Sequence, residues 1–595
     1  MKRYLLIILS LLFLIGTISN ATVRYVSKTG SSTPPYTSWA TAADSIQKCI
    51  NICVFGDAIF VANGVYEEQV VMIPGLSLIG AGIDSCTIDS RSLITSSSSR
   101  AVEVADSCIL TGFQIIVYYN ADLGRGVWAD LGNGNNFVKY NRVKNGISGI
   151  SAGYNTEVNQ NITSGNRIGI YVINSNALVR KNYIYMDYSG GHGIHIEAFD
   201  FSYAPIIDSN YIEVEVIGGT GINKSFGARP TIANNIIKLI YGNEAIFIGY
   251  TDSAKVYNNL IIGENGIDGI IDGFEQEIYN NVVINVAGAA FKISGIVKNN
   301  LAINCGTGIE KYGDPIIQYN NSWNNEINYS NFTPDSTNLS IDPMIANDDT
   351  TEGELDFHLQ MFSPLIDAGD PTILDVDSSR SDIGLYGGPF GESYTYLDLP
   401  PKPPRNLTVI VDSIITLSWN KNTEADFSYY NLYRDTEANF TIDSTKLVAS
   451  LQDTFYLQSI PAGVESLYFK LTAVDSQGNV SGPSEELAVI ITSVKNRPQI
   501  VSSYQLYQNY PNPFNPSTKI AYKLKERGYV KLYVYDIKGE TVEVLVNQIQ
   551  EGGYYEVDFT AESTLASGIY IYQLLVSSSN NIPVFTDIKK MILLK

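Results

Sequence analysis

Four side chains suited to acid–base or charge-neutralising chemistry stand in one stretch of the sequence. They are His195, Glu197, Lys224 and Arg229. Histidine and lysine can remove a proton from a substrate, a carboxyl group can donate or accept one, and arginine can neutralise a substrate carboxylate. A lyase that eliminates across a uronic acid needs a base and a neutralising group of these kinds. Whether the four groups meet depends on the elements that carry them.

His195 and Asn223 occupy the same place in a short repeated unit, which reads glycine, isoleucine, any residue and usually an apolar residue. The unit, in some cases with alanine for glycine, is found at 169–172, 193–196, 221–224, 245–248, 269–272 and 289–292. A segment this rich in β-branched residues predicts a strand, in which alternate side chains face the same side. The third residues, which we expect to face outward, are Tyr171, His195, Asn223, Phe247, Ile271 and Phe291.

A second unit sets the period of the repeat. An apolar residue stands three positions before an asparagine at Asn141, Asn161, Asn182, Asn210, Asn235, Asn259, Asn281, Asn300 and Asn320. The shortest step, 281 to 300, is 19 residues and the longest, 182 to 210, is 28. This period predicts stacked coils that bury their apolar faces against one another. We expect the asparagines to adopt left-handed turn conformations and to hydrogen-bond to one another along the stack. A leucine-rich repeat shares the period, but its leucines and helix are missing here.

The ends of the repeat resemble those of exported β-helix proteins. Segment 39–53 has helical apolar spacing and is predicted to cap the first coil, and segments 363–371 and 382–388 are similar to those that close such proteins. With the repeat over 65–345, residues 22–395 resemble the right-handed parallel β-helix of the pectin-lyase-like superfamily. The resemblance implies that the groove on one parallel sheet is the site, with a polysaccharide as its ligand.

Stacking of the coils about 4.8 Å apart would bring His195, Glu197, Asn223 and Lys224 together, with Arg229 as a neutralising group. The alternative is that Lys224 extends into solvent and His195 is an ordinary surface residue. The longest coil has an extra loop over 199–205, which would wall this cleft. Aromatic faces suit sugar rings. The candidate substrate-binding residues are therefore Tyr171, Asn223, Phe247 and Phe291.

Gly191-His192-Gly193 also resembles a motif of polygalacturonases. Those hydrolases need a pair of carboxylates for general acid and base catalysis. The preceding segment, 169–175, contains no aspartate, so the sequence does not assign that activity.

A group of aspartates in the closing segment is the candidate metal site. Asp367, Asp370, Asp375 and Asp377 supply the oxygen ligands that Ca²⁺ prefers. Aspartate is also common in turns for backbone reasons, which is the alternative interpretation. The sequence predicts no other cofactor, and the five cysteines are interpreted as small buried hydrophobes.

Two further modules are predicted after a Pro-rich linker at 396–406. Residues 407–494 read as seven short strands with a core Trp419 and resemble a fibronectin type III module. Residues 495–595 resemble the C-terminal sorting domain of type IX secretion substrates, on the segment 507–518, Gly568 and the basic–apolar end 589–595. This resemblance implies passage through the outer membrane of a two-membrane bacterium by the type IX machinery, followed by release or surface attachment.

Export and charge limit the function classes. Residues 1–21 are predicted to be a signal peptide, with Lys2 and Arg3 before an apolar run and cleavage after Ala21, and no later segment is predicted to span a membrane. The net charge of −22 argues against a nucleic acid partner.

The sequence therefore predicts a secreted or surface-attached all-β protein, a right-handed parallel β-helix followed by two antiparallel β-sandwich domains. The preferred function is binding of a polysaccharide or cell-surface glycan, or adhesion. The alternatives are a polysaccharide lyase or glycoside hydrolase acting on a long glycan, and a rigid spacer without a ligand.

Overall fold

The computed structural model describes residues 21–119, 121–129, 134–249, 254–273, 276–348, 355–412, 414–461, 463–491, 503–578 and 583–595. The chain divides into two compact units, Met1–Leu399 and Pro400–Lys595. Apart from Ala21, the predicted signal peptide lies outside the described residues. No helix in the described part of the chain is long and apolar enough to cross a membrane.

The first unit is a parallel β-helix, as the sequence predicts. Twelve coils each contribute one short strand to each of three parallel sheets, and Val23–Val26 adds a thirteenth strand to the first sheet of the described residues. The first sheet consists of Val23–Val26, Ala58–Val61, Ser77–Gly80, Ile109–Thr111, Asn136–Lys139, Thr156–Asn159, Leu178–Arg180, Ile206–Asp208, Thr231–Ala233, Lys255–Tyr257, Glu277–Tyr279, Ile296–Lys298 and Ile316–Gln318. The second consists of Gly64–Tyr66, Cys86–Asp89, Gln114–Ile116, Arg142–Lys144, Ile162–Ser164, Tyr183–Met186, Tyr211–Val214, Ile236–Leu239, Leu260–Gly263, Val282–Ile284, Leu301–Ile303 and Asn321–Trp323. The third consists of Val70–Val71, Arg100–Glu103, Arg125–Ala129, Ser148–Ala152, Ile168–Ile173, His192–Glu197, Thr220–Lys224, Glu244–Ile248, Asp268–Asp272, Ala289–Ile293, Thr307–Lys311 and Ile327–Ser330.

The repeated asparagines form a buried ladder between the first and second sheets. Asn210, for example, donates from its backbone N and from Nδ2 to Oδ1 of Asn235, at 3.0 and 2.9 Å. The predicted hydrogen bonds along the stack are therefore present. The predicted left-handed backbone is wrong for the ladder residues, because it belongs to the residue before each of them, such as Ser209 and Asn234, both with φ 56°. Asparagine is therefore required at this position for the hydrogen bonds of its side-chain amide, and not for a left-handed backbone conformation.

The glycine of the third-sheet unit is explained by the close approach of neighbouring coils. A Cβ at Gly193 would lie 2.5 Å from the carbonyl oxygen of Gly221, and one at Gly221 would lie 2.6 Å from that of Ala245. Alanine at position 245 shows that a methyl group also fits where the spacing to the neighbouring coil allows it. This position therefore excludes larger residues and marks the strand in the sequence.

The cap of the first coil is shorter than the helix predicted over 39–53. It consists of a 3-10 turn, Trp39–Thr41, and an α-helix, Ile46–Ile50, separated by the non-helical residues 42–45. Ile46, Cys49 and Ile50 are fully buried. The apolar spacing thus identified the residues that cover the open end, although only part of the segment is helical.

The closing segment turns back along the outside of the last coils. A two-stranded antiparallel sheet, Ile345–Asn347 with Asp356–Leu359, begins it. Leu365 and Ile383 then pack on outward residues of the second sheet in a cluster that includes Leu301. The last coils are therefore covered on that side, which protects an otherwise exposed apolar surface.

The second unit contains two antiparallel sandwiches with the same strand order. The first has the sheets Thr408–Val411, Ile414–Ser418, Phe455–Ser459 and Leu447–Leu451, Phe427–Asp435, Ser466–Asp475, Leu487–Ile490. The second has Gln505–Leu506, Ser517–Leu524, Gly553–Thr560 and Thr541–Gln550, Gly528–Tyr535, Gly568–Ser577, Pro583–Leu593. Each is a three-stranded sheet facing a four-stranded one, and Trp419 lies in the core of the first. The two predicted β-sandwich domains are confirmed.

Candidate functional site

The outward face of the third sheet presents one side chain from each coil in a continuous row. Parallel pairing places Tyr171 beside His195, His195 beside Asn223, and Asn223 beside Phe247. Ile271 continues the row. All five are partly exposed, as the strand periodicity predicts.

Phe291 was expected on this row and is instead fully buried. It pairs with Ile270 and Ile309, which face the interior, while Lys292 pairs with the outward Ile271. The small residue of this coil is Ala290 rather than Ala289, so the expected alignment was shifted by one residue. A shift of one residue moves a strand side chain to the opposite face.

Lys224 also faces the interior, which contradicts its expected place beside His195. It pairs with Ile196 and Ile248 and is 0% exposed. It occupies the fourth, usually apolar position of the unit, and that position faces inward. The inward orientation of Lys224 could have been predicted from the sequence, because successive side chains of a strand face opposite sides and the third residue of the unit faces outward. A catalytic role for Lys224 on this face is therefore excluded by its orientation.

His195 lies at the centre of a small polar cluster. Its ring is 5.0 Å from the ring of His192 and 5.5 Å from that of Tyr171. Its Nε2 is 3.4 Å from the Ser225 hydroxyl and 3.9 Å from Oε2 of Glu197. Tyr171 donates a 2.5 Å hydrogen bond to the same Glu197 oxygen. The predicted proximity of His195, Glu197 and Asn223 is therefore present, on two neighbouring coils.

Both histidines of the cluster are held neutral by their surroundings. Burial lowers the pKa of His192 to about 4, with His195 and Arg167 acting in the same direction. Burial also lowers the pKa of His195, against an opposing effect of Glu197. Their Nδ1 atoms are buried and have no hydrogen-bond partner within the described residues. Near neutral pH this part of the face offers uncharged imidazoles.

Acid should therefore destabilise the protein through His192, because its folded-state pKa is depressed. Above about pH 6.5, His192 is neutral in both the folded and the unfolded protein and does not lower the free energy of unfolding. As the pH falls towards 4, the unfolded protein binds this proton more readily than the folded one, so the free energy of unfolding decreases. A shift from 6.5 to about 4 has an upper limit of ~3.4 kcal/mol, and partial exposure reduces the expected effect to about 1–2 kcal/mol. We expect His192→Gln to lose less stability than the wild type between pH 7.5 and 4.5 in urea unfolding. Parallel pH dependences of the two proteins would contradict this.

Exposed aromatic side chains border the face where the third-sheet strands end. Phe199 and Phe226 follow neighbouring strands and are 86% and 66% exposed, and Ala198 N donates to Phe226 O at 3.1 Å. Arg229 lies in this loop region, with its guanidinium 5.8 Å from the ring of Phe201. The structure thus places Arg229 at the loop rim rather than on the strand face. Sequence analysis predicted the 199–205 loop but missed Phe226.

Two arginines flank an additional aromatic residue on the same row. Trp128 stands two coils before Tyr171, separated from it by Ser151. The guanidinium groups of Arg100 and Arg125 lie 4.5 and 4.6 Å from its ring. Arg100 also forms a 3.0 Å ion pair with Glu103, which pairs in register with Trp128, so positive and negative groups meet at this end of the face. Sequence analysis missed Trp128, although Gly126-Val127-Trp128-Ala129 follows the repeated unit with valine in place of isoleucine.

A pair of carboxyl groups lies on the same sheet, beside the Phe247 part of the row. Glu244 and Asp268 pair in register on neighbouring coils, and both stand just before the small residue of the unit. Glu244 accepts a 3.1 Å hydrogen bond from Thr220, and Asp268 accepts one of 2.7 Å from Ala289 N. Burial raises the pKa of Glu244, with an opposing effect of Thr220 and a reinforcing one of Asp268. Sequence analysis considered only the third residue of each unit as outward-facing, so it missed this pair, which stands just before the unit.

Three of the four candidate calcium ligands have carboxylates engaged in local contacts. Asp370 forms a 2.6 Å ion pair with Lys298, and Asp375 accepts hydrogen bonds from Asp382 N and Gly388 N. Asp377 accepts from Ser379, and Asp367 is exposed, with its backbone N donating to Asp382. These contacts suit turn-forming carboxylates, and calcium binding stays a prediction.

Comparison with known proteins identifies the end of the chain. Residues 508–589 match the secretion system C-terminal sorting domain. The predicted sorting domain is therefore confirmed, and it indicates export to the cell surface or the medium. The signal peptide stays a prediction. No curated protein matches the chain.

Several solved structures are similar in part. The spore cortex lytic enzyme SleM of Clostridium perfringens aligns at 19% identity over 18% of this chain, with a TM-score of 0.13, and the chain spans 32% of that enzyme. Pectate lyase Pel9A aligns at 14% identity over 62% of this chain and 97% of its own, with a TM-score of 0.32. The A-module of the Azotobacter vinelandii mannuronan C-5 epimerase AlgE4 aligns at 12% identity over 48% and 91%, with a TM-score of 0.30. At these values the matches say nothing about substrate or activity.

Proposed function

We propose that this exported β-helix protein binds a polysaccharide along the outward face of its third sheet. The observation that carries the proposal is the row from Tyr171 through His195 and Asn223 to Phe247, one side chain per coil in continuous register. A glycan presents apolar ring faces and a regular series of hydroxyl groups. A row with an aromatic ring at each end and polar side chains between them, at the spacing of the coils, is suited to both.

The rim supports the same proposal. Phe199 and Phe226 expose large apolar side chains beside the row. Exposed aromatic side chains that cluster at the edge of a polar face mark a binding surface more often than isolated ones do.

The test is an affinity series on the mature protein with uronate-containing and neutral polysaccharides. We expect Phe247→Ala and Tyr171→Ala each to raise Kd by about tenfold, since each removes an aromatic contact worth roughly 1–1.5 kcal/mol. Tyr171→Phe keeps the ring and removes the hydrogen bond to Glu197. It therefore distinguishes the contribution of ring stacking on the glycan from that of the hydrogen bond that positions the ring. Tyr183→Ala is the matched control, because Tyr183 is an exposed aromatic residue, 41% accessible, on the second sheet.

Two results would count against this proposal. One is that no polysaccharide in a broad panel binds. The other is that Tyr183→Ala weakens binding as much as Phe247→Ala, which would mean that the ligand does not select the third sheet.

The second candidate function is glycoside hydrolysis, and Glu244 with Asp268 favours it. A carboxyl group whose pKa is raised, beside a second carboxyl group, is the arrangement from which a glycoside hydrolase draws its general acid and partner carboxylate. New reducing ends in the same incubations, without an unsaturated product, would support hydrolysis. Reducing ends accompanied by an unsaturated uronate would indicate a lyase instead. Binding without either signal would leave the protein as a glycan binder or adhesin.

A further inference from the structure

A cavity of about 360 Å³ lies between the first sheet and the closing segment. The sheet contributes residues 257–258 and 279–280, and the closing segment contributes 372–374 and 389–390. The strands concerned, Lys255–Tyr257 and Glu277–Tyr279, belong to a different sheet from the glycan face proposed above. Its size is at the lower end of the range for small-molecule sites.

Three nearly parallel aromatic rings form one side of the cavity. The ring centroid of Tyr257 is 5.5 Å from that of Tyr279, with planes 23° apart, and 5.2 Å from that of Phe390, with planes 11° apart. Tyr257 is buried, whereas Phe390 is 50% exposed and Leu374 is 49% exposed. Because Tyr257 stacks with both of its neighbours, the ring that solvent reaches is that of Phe390, and an apolar ligand face placed on it would remove it from water.

A few polar groups accompany the rings. The Asn258 amide is fixed by hydrogen bonds from Nδ2 to the carbonyls of Leu385 and Gly387, at 2.6 and 2.8 Å, which keeps its Oδ1 as an acceptor. Burial raises the pKa of Tyr279 to about 12, with smaller effects of nearby carboxylates, so its hydroxyl remains a donor at neutral pH. Thr372 adds a second hydroxyl.

The described lining contains no charged side chain. A charged ligand would lose hydration here without gaining a partner, and the net charge of −22 further disfavours anions. The ligand that fits is neutral, has a flat apolar face and carries hydroxyl groups around its edge. A pyranose ring has these properties.

We propose that this cavity binds a neutral pyranose, either a free monosaccharide or the terminal residue of a glycan, with its C–H face on the Phe390 ring and a hydrogen bond from the Tyr279 hydroxyl. The site does not depend on the third-sheet proposal. It would give the protein a second carbohydrate site of different specificity, one that selects neutral sugars.

The test is calorimetric titration of the mature full chain with methyl glycosides of glucose, galactose, mannose and xylose. Methyl glucuronoside serves as the charged comparison and p-cresol as a flat aromatic one. We expect at least one neutral glycoside to bind with a millimolar Kd. Phe390→Ala should weaken it at least fivefold, and Tyr279→Phe about threefold. Phe362→Ala is the matched control, since Phe362 is a 40% exposed aromatic residue of the closing segment outside the lining.

The outcomes separate this site from the third-sheet face. Binding that is weakened by Phe390→Ala and unaffected by Phe247→Ala or Phe362→Ala supports the cavity. The absence of binding by every neutral glycoside overturns it, as does tighter binding of p-cresol or of the glucuronoside. Binding that is lost in Phe247→Ala and retained in Phe390→Ala also overturns it and assigns the sugar to the third sheet.

Discussion

Asn210→Ala is expected to lower the free energy of unfolding of the β-helix by about 2–4 kcal/mol. Asn210 Oδ1 accepts from the backbone N and from Nδ2 of Asn182, at 3.1 and 2.9 Å, and its own Nδ2 donates to Val179 O at 2.9 Å. All of these groups are buried, so alanine leaves donors and an acceptor without partners and without access to water. Each such group costs roughly 1–3 kcal/mol.

Hydrogen exchange measured on peptides from the mature protein is the suitable readout. The coils of a repeat protein interact mainly with their neighbours, so protection should fall most in the coils around Asn182, Asn210 and Asn235. Asn265→Ala is the control, because Asn265 is an exposed asparagine of the same β-helix and should change stability by less than about 0.5 kcal/mol. A similarly small effect for Asn210→Ala would mean that the ladder contributes little to stability.

Removal of residues 503–595 is expected to abolish appearance of the protein at the cell surface and in the medium. The match to a secretion system C-terminal sorting domain lies within this segment, at 508–589, and we expect export through the outer membrane to depend on it. The truncated protein should collect in the periplasm of a host that has the type IX machinery. Immunoblots of the periplasm, the surface and the medium would measure the change.

The reciprocal fusion tests whether the same segment is sufficient for export. Residues 503–595 attached to an unrelated periplasmic protein should carry it out of the cell in the same host. The described residues of this segment form a seven-stranded sandwich with its own buried core, which includes Phe514, Tyr522 and Tyr572. Export of the truncated protein at the wild-type level would show that the signal lies elsewhere in the chain.

The sequence determined the features that repeat. The spacing of the asparagines predicts the coils and the ladder because each coil must satisfy the same buried backbone groups at the same turn. The small residue of the third-sheet unit marks the strand because a larger Cβ collides with the neighbouring coil. The sorting domain is also evident in the sequence, because its residues stand in a long fixed order.

The tertiary structure decided which side chains share a surface. Phe291 and Lys224 face the interior because the fit of each strand against its neighbours sets its register, and one residue of shift reverses the side. Glu244 and Asp268 stand 24 residues apart in the sequence (268 − 244) and meet only because their strands pair in register. The cavity beside Tyr257 forms only where the closing segment returns to the first sheet, more than 100 residues later in the chain (372 − 257 = 115). Local spacing specifies what repeats within one coil, whereas a site built from several coils and a distant segment depends on contacts that local spacing does not encode.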